Sequence, residues 1–197
     1  GLEGLGVADR NSVAGVVRFH VAAKEFGVRI APGARLVFDD NATPDILVFP
    51  KDRAGWGRLT RLLSLGKRRA GKGECLLGLT DLLAFIEGQN LIVMPQVTID
   101  ADQLLRLLER LKQAAPRRSL WLAASLLYRG DDARRLARLA DIAARAFVPL
   151  IAVNDALYHI PARRELQDVL TCIREKTAID KAGKLLAANA ERHLKAP

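Results

Sequence analysis

The chain has 197 residues, 50% hydrophobic and 27% charged, which suits one folded domain and excludes a disordered polar chain. Its 31 Lys and Arg against 22 Asp and Glu give a net charge of +9, compatible with a polyanion partner and equally with a basic docking face. No run approaches the roughly 20 apolar residues of a membrane span, and no basic leader with a cleavage pattern opens the sequence.

Apolar runs of strand length occur at Leu5–Ala8, Val28–Ile30, Ala34–Phe38, Asp45–Phe49, Asn90–Met94, Leu120–Ala124 and Leu150–Val153. Helical periodicity fills the intervals at Ser12–Phe26, Asp52–Arg68, Leu79–Glu87, Asp100–Ala114, Asp131–Ala146 and Arg163–Glu175. Asn11-Ser12, Asp100 and Asp131-Asp132 are placed to cap helices, and Gly27, Gly88 and Pro116 to end them. Strand and helix in alternation predict an α/β fold with parallel strands covered by helices. The tail from Ala178 reads as a short helix and a linker.

If such a sheet curls into a barrel, functional groups belong at the C-terminal ends of its strands. That rule selects Asp9-Arg10, Arg35 with Asp39-Asp40, Met94-Pro95-Gln96, Ser125 and Asn154-Asp155. Two carboxylates, Asp9 and Asp155, suit Mg²⁺ or Mn²⁺. A guanidinium neither deprotonates nor ligates, so Arg10 and Arg35 argue for acids paired with cations of the chain itself. His20, His159 and His193 are too scattered for a metal cluster. Cys75 and Cys172 lie far apart and fit a reducing cytoplasm better than a disulfide framework. No nucleophile motif, P-loop or dinucleotide fingerprint is present. Among the basic stretches, Gly66–Glu74 with Lys67, Arg68, Arg69 and Lys72 is the best phosphate-contact candidate. Aromatic residues are not interleaved with these stretches, which disfavours a stacking platform for single-stranded bases.

At "LGVADRNSVAGVVRFHVAAKEFGVRIAPGARLVF" the sequence resembles the polymerase-and-histidinol-phosphatase (PHP) domain of bacterial C-family DNA polymerase III α-type subunits. "PDILVFPKDRAGWGRLTRLLSLGKRRAGKGEC" and the block from "LYRGDDARRLARLADIAARAFVPLIAVNDALYHIPARRELQDVL" onward are similar to the error-prone, damage-inducible branch. Metal-binding members carry Thr-Asp-His where this chain has Ala8-Asp9-Arg10, and Gly-x-Glu where it has Gly33-Ala34-Arg35. Their Asn-Asp-x-His-Tyr is matched by Asn154-Asp155-Ala156-Leu157-Tyr158, with Leu157 in the His position. The His-x-His strand that opens those members would precede Gly1.

The resemblance implies a distorted seven-stranded (β/α) barrel lacking its first strand and helix, over residues 1–177, with 178–197 as a linker toward a polymerase region. It implies a vestigial metal site at Asp9, Arg10, Arg35, Asp155 and Leu157, with no catalytic residue and no metal or other cofactor in this part. Arg10 and Arg35 would neutralise the surviving acids, and Asp9 would accept hydrogen bonds from Arg or backbone donors. The implied parent is a cytoplasmic error-prone polymerase using Mg²⁺ on DNA, with the remainder of its own chain and mutagenesis accessory proteins as partners. The chain itself is expected to be a structural domain of damage-tolerant replication and repair. The competing reading is a divergent phosphoesterase or proofreading nuclease using Asp9 and Asp155, and a third is a polyanion-binding module. The strand missing on this resemblance would leave an unpaired apolar edge beside Leu5–Ala8, which predicts dimerisation, rearrangement or reduced stability.

Overall fold

The computed structural model describes residues 3–40, 42–126 and 128–195. Its elements are β1 (Gly4–Arg10), α1 (Val16–Phe26), β2 (Arg29–Leu36), β3 (Ile46–Pro50), α2 (Arg53–Arg68), α3 (Leu79–Ala84), β4 (Gln89–Val93), α4 (Ala101–Ala114), β5 (Leu120–Ala124), α5 (Asp132–Ala146), β6 (Leu150–Ala152), α6 (Arg164–Arg174) and α7 (Ile179–Ala182). Short 3₁₀ turns stand at Pro161–Arg163 and Gly183–Leu185. The chain divides into a larger unit, Leu2–Ala123 with Leu139–Ile151, and a smaller one, chiefly Ala124–Arg138 with Ala152–Pro197.

The six strands form one sheet in sequence order. Its directions correct the all-parallel expectation. β1 and β2 are parallel, as are β4 and β5, but β3 runs antiparallel to both its neighbours. The reason lies between Leu36 and Ile46. A parallel crossover needs a dozen or more residues, usually a helix, whereas this connection is short and folds back on itself. Asp40 accepts the amides of Ala42 at 3.0 Å and Thr43 at 2.8 Å and the Thr43 hydroxyl at 2.7 Å, an Asx-type turn that reverses the chain.

Two predicted strands, Val28–Ile30 and Ala34–Phe38, are one strand, β2, running through Pro32. Proline removes a ladder donor, and it is tolerated here because β3 pairs only with Ala34–Leu36. Gly33 is required beside it. A Cβ there would lie 2.4 Å from the Val48 carbonyl oxygen and 2.5 Å from the Phe49 ring.

The core of the larger unit is the inward face of this sheet packed under α2 and α4. Leu36, Ile46, Leu91 and Leu122 from the strands, Leu59 and Leu62 from α2 and Leu108 and Leu111 from α4 are at most 1% exposed. Each such side chain contributes about 1.5–3 kcal/mol by leaving water. The caps follow the sequence: Asp52 accepts the Gly55 amide and Asp100 that of Gln103, starting α2 and α4. The first helix departs from it. α1 begins four residues late, and no side chain caps it at its own N-cap residue, Gly15.

β1 is a terminal strand of the sheet. Its surface is less apolar than expected, because Gly4, Gly6 and Arg10 are its exposed positions while Val7 is buried. α1 buries none of its residues, leaving Val17, Phe19, Val21 and Phe26 exposed.

Candidate functional site

Of the strand-end positions of the larger unit, Asp9, Arg10 and Arg35 meet where β1 pairs with β2, in a register that sets Asp9 against Ala34 and Arg10 against Arg35. Asp9 Oδ2 accepts the Gly15 amide at 2.7 Å. The carboxylate therefore sits at the positive end of α1 and answers a donor that the helix leaves open. The fit is close: a Cβ on Gly15 would come within 2.7 Å of Asp9 Oδ2. Successive side chains of a strand point to opposite faces, so Arg10 turns away from Asp9. It is exposed and makes no ion pair among the described residues.

Asn11 holds this corner. Its amide donates to the Arg35 carbonyl at 2.9 Å, and its side chain both donates to the Val37 carbonyl and accepts the Val37 amide, each at 2.9 Å. It has φ 44, a left-handed geometry that Asn tolerates better than most residues. Asn11 thus splices β1 onto the end of β2 instead of capping α1, which is why that helix starts late.

Arg35 Nε donates to Asp45 Oδ2 at 2.6 Å, with side chains 24% and 25% exposed. Asp45 was legible in the sequence only as the start of a strand.

In the smaller unit, Asp155 follows β6 and forms an ion pair with Arg192, whose Nε also donates to the Asp155 carbonyl at 3.1 Å. The two segments are clasped along their backbones. Leu157 donates to the Arg192 carbonyl at 2.8 Å, Leu194 to that of Tyr158 at 3.1 Å, and Asn154 Nδ2 to that of His193 at 2.9 Å. Leu157 is 40% exposed and supplies no ligand atom. His193 lies in this clasp, its Nδ1 3.0 Å from the Ala190 carbonyl, whereas His159 and His20 are exposed. Arg192 carried no sequence signal, because its partner is 37 residues away.

A metal fits these groups poorly. Asp9 is engaged by a helix amide, Arg35 by Asp45 and Asp155 by Arg192. Among the described residues no three His, Cys, Asp or Glu side chains gather as a ligand set.

The basic stretch divides. Arg69 donates to Asp81 Oδ2 at 2.7 Å, and Asp81 also accepts the Gly78 amide at 2.9 Å, which starts α3. Burial raises the Asp81 pKa, but the Gly78 amide and the Arg69 guanidinium together outweigh it and hold the carboxyl below its ordinary value. Arg69 is therefore part of the fold. Lys67, Arg68 and Lys72 are exposed and make no ion pair among the described residues. Burial pushes the nearby Cys75 thiol up, against the smaller opposing effect of Lys67, so it is a poor nucleophile. A groove of about 190 Å³, unforeseen from the sequence, lies among Thr43, Pro44, Leu79, Gln103, Leu107 and the exposed Arg106 and Arg110.

No helix among the described residues is long and apolar enough to cross a membrane. No protein-family model matches the chain. Three error-prone DNA polymerases are similar to it: one from Bradyrhizobium sp. is 55% identical over 204 residues, 99% of this chain and 17% of its own. One from Rhodopseudomonas palustris BisB5 is 54% identical over 202 residues, 99% of this chain and 18% of its own, and one from Sinorhizobium medicae 52% over 197, 100% and 18%. The chain spans less than a fifth of the length of these three relatives. Among solved structures, one described as a metal-dependent phosphoesterase from Bifidobacterium adolescentis shares the fold at a TM-score of 0.56, with 14% identity, over 79% of this chain and 77% of that one. These matches bear out the resemblance read from the sequence. The chain is homologous, over essentially its whole length, to a region of error-prone DNA polymerases, and its α/β fold is similar to that of the solved structure.

Proposed function

We propose that the chain is the PHP-type domain of an error-prone DNA polymerase and that it serves there as a structural, non-catalytic part. Homology supports the parentage. The observation that carries the non-catalytic reading is that both surviving acids are already engaged, Asp9 by the Gly15 amide and Asp155 by Arg192. On this reading the six-stranded sheet is a distorted seven-stranded barrel without its first strand and helix. The free edge of β1 is then where self-association would occur. Template-directed nucleotidyl transfer with Mg²⁺, and the contact with DNA, belong to the remainder of the cytoplasmic polymerase, with mutagenesis accessory proteins as further partners.

The test is elemental analysis of the purified chain after incubation with Mn²⁺ and Zn²⁺, alongside a phosphodiester hydrolysis assay. The expected result is substoichiometric metal and no hydrolysis. A triple variant, Arg10→His/Arg35→Glu/Leu157→His, serves as the positive control for a restored site. Stoichiometric metal with hydrolysis in the unaltered chain overturns the structural reading in favour of a phosphoesterase or nuclease. Exposed Lys67, Arg68 and Lys72 favour one additional role, contact with a nucleic-acid backbone through the loop after α2.

A further inference from the structure

α6 carries Leu166, Val169, Leu170 and Ile173 at i, i+3, i+4 and i+7, a single apolar stripe. Such a stripe normally faces a core. Here it is exposed. The residues α6 buries are Thr171 and Cys172, whereas the stripe residues are 53%, 45%, 51% and 68% exposed in the order given. Burying Thr171 is not costly, because its hydroxyl donates to the Gln167 carbonyl one turn back at 2.9 Å. The flanking Ile160 and Ile179 are also exposed. The hydrophobic core cluster lies wholly within the larger unit, so the smaller unit has little buried apolar surface to set against this stripe.

We propose that the outward stripe of α6 is the docking face for the rest of the polymerase chain, which meets it with an apolar helix or groove rimmed by acidic residues. The proposal rests on the polymerase reading above. Two observations select this occupant. The relatives devote 17% and 18% of their length to the matching region, so most of such a protein is available in the same chain at high effective concentration. The charge of the rim selects further. Arg164 and Arg174 are held by Asp168 at 3.4 Å and Glu175 at 2.8 Å, whereas Lys176, Lys181 and Lys184 are exposed, make no ion pair among the described residues and outnumber the exposed acids Glu165 and Asp180. An acidic rim complements these lysines. A second copy docking by the same face would bring the lysines together across a two-fold contact.

The test places photoreactive benzoylphenylalanine at Leu166, Val169 or Ile173, with Arg61 of α2 as the control position, in the protein expressed from the complete reading frame. Adducts are mapped by mass spectrometry, and the same preparations are assayed for template-directed primer extension. The expected result is primer extension together with intramolecular adducts to residues beyond this 197-residue stretch, reduced about tenfold when Leu170→Asp is added, the effect of about 1.4 kcal/mol of lost contact. Adducts to residues 3–151, adducts between two copies, or yields no higher than at Arg61 overturn the docking face, and if primer extension persists the polymerase reading stands without it. Absence of primer extension overturns the polymerase reading and the proposal that rests on it.

Discussion

Replacing Asp9 separates a helix-terminus role from a metal-binding one. Its carboxylate accepts the Gly15 amide at 2.7 Å, and α1 has neither a side-chain cap at Gly15 nor an acid in its first turn. Losing a side-chain acceptor at a helix N-terminus costs about 1 kcal/mol, and a negative charge there contributes a further 0.3–1 kcal/mol or roughly so. Asp9→Asn keeps an acceptor and gives up the charge, so it should cost about 0.5 kcal/mol. Asp9→Ala gives up both and should cost about 1.5–2 kcal/mol. For a domain of this size 1 kcal/mol corresponds to about 2–4 °C in melting temperature, giving drops of about 1–2 °C and 3–8 °C. Thermal and urea unfolding followed by circular dichroism, in EDTA and again with Mn²⁺, measures both. A metal ligand would behave differently: Asn would harm as much as Ala, and the loss would depend on the divalent ion. Equal melting of the two variants, or a loss seen only with Mn²⁺ present, would refute the capping assignment.

Gly33→Ala should destabilise by about 2 kcal/mol or more, because its Cβ would meet the Val48 carbonyl oxygen at 2.4 Å and backbone cannot swing aside; urea titration reads it. Asp81 has its folded pKa depressed below the ordinary 3.8. Its contribution is therefore complete above that value and lost as pH falls through the folded pKa, so Asp81→Asn should flatten the acid limb of the stability–pH curve below about pH 5. Lys67→Ala, Arg68→Ala and Lys72→Ala combined should leave the melting temperature unchanged and, if the loop touches DNA, lower the salt slope of binding by about 2–3 in fluorescence anisotropy. Arg69→Ala should do the reverse, lowering stability through Asp81. Arg35→Glu alone sets a carboxylate against Asp45, where the native pair is 2.6 Å apart. It should cost about 2 kcal/mol in EDTA, and a Mn²⁺-dependent recovery of melting temperature would reveal a latent cation site.

The fold was legible wherever the signal was local. Leu120–Ala124 was read to the residue, and α2 and α4 were bounded within a residue because Asp52 and Asp100 start them. Strand direction was not legible, since β3 reverses through a turn held by Asp40 and Thr43, while its own sequence reads as a buried strand of either sense. The start of α1 was misplaced because Asn11 has two uses, cap or splice. Its choice of Val37 depends on a strand 26 residues away. The same holds for the site. Asp9, Arg35 and Asp155 could be singled out from their places after apolar runs, but Gly15, Asp45 and Arg192 could not, because a partner is fixed by topology and not by spacing.

Those three partners show how strand-end charges are held by groups of the chain itself. A carboxylate at a strand end is costly to bury without a counter-charge or a hydrogen-bond donor, so on the proposed vestigial reading Asp9 and Asp155 would be liabilities unless the fold engaged them. Each acid has found a donor inside its own unit: a helix amide for one, a guanidinium for the other. Arg35 is likewise paired with an acid, Asp45, at a matching depth. These contacts are pairwise and local. That arrangement gives Asp9 and Asp155 a place in the fold that requires no chemistry of them, so their presence alone is no evidence of activity.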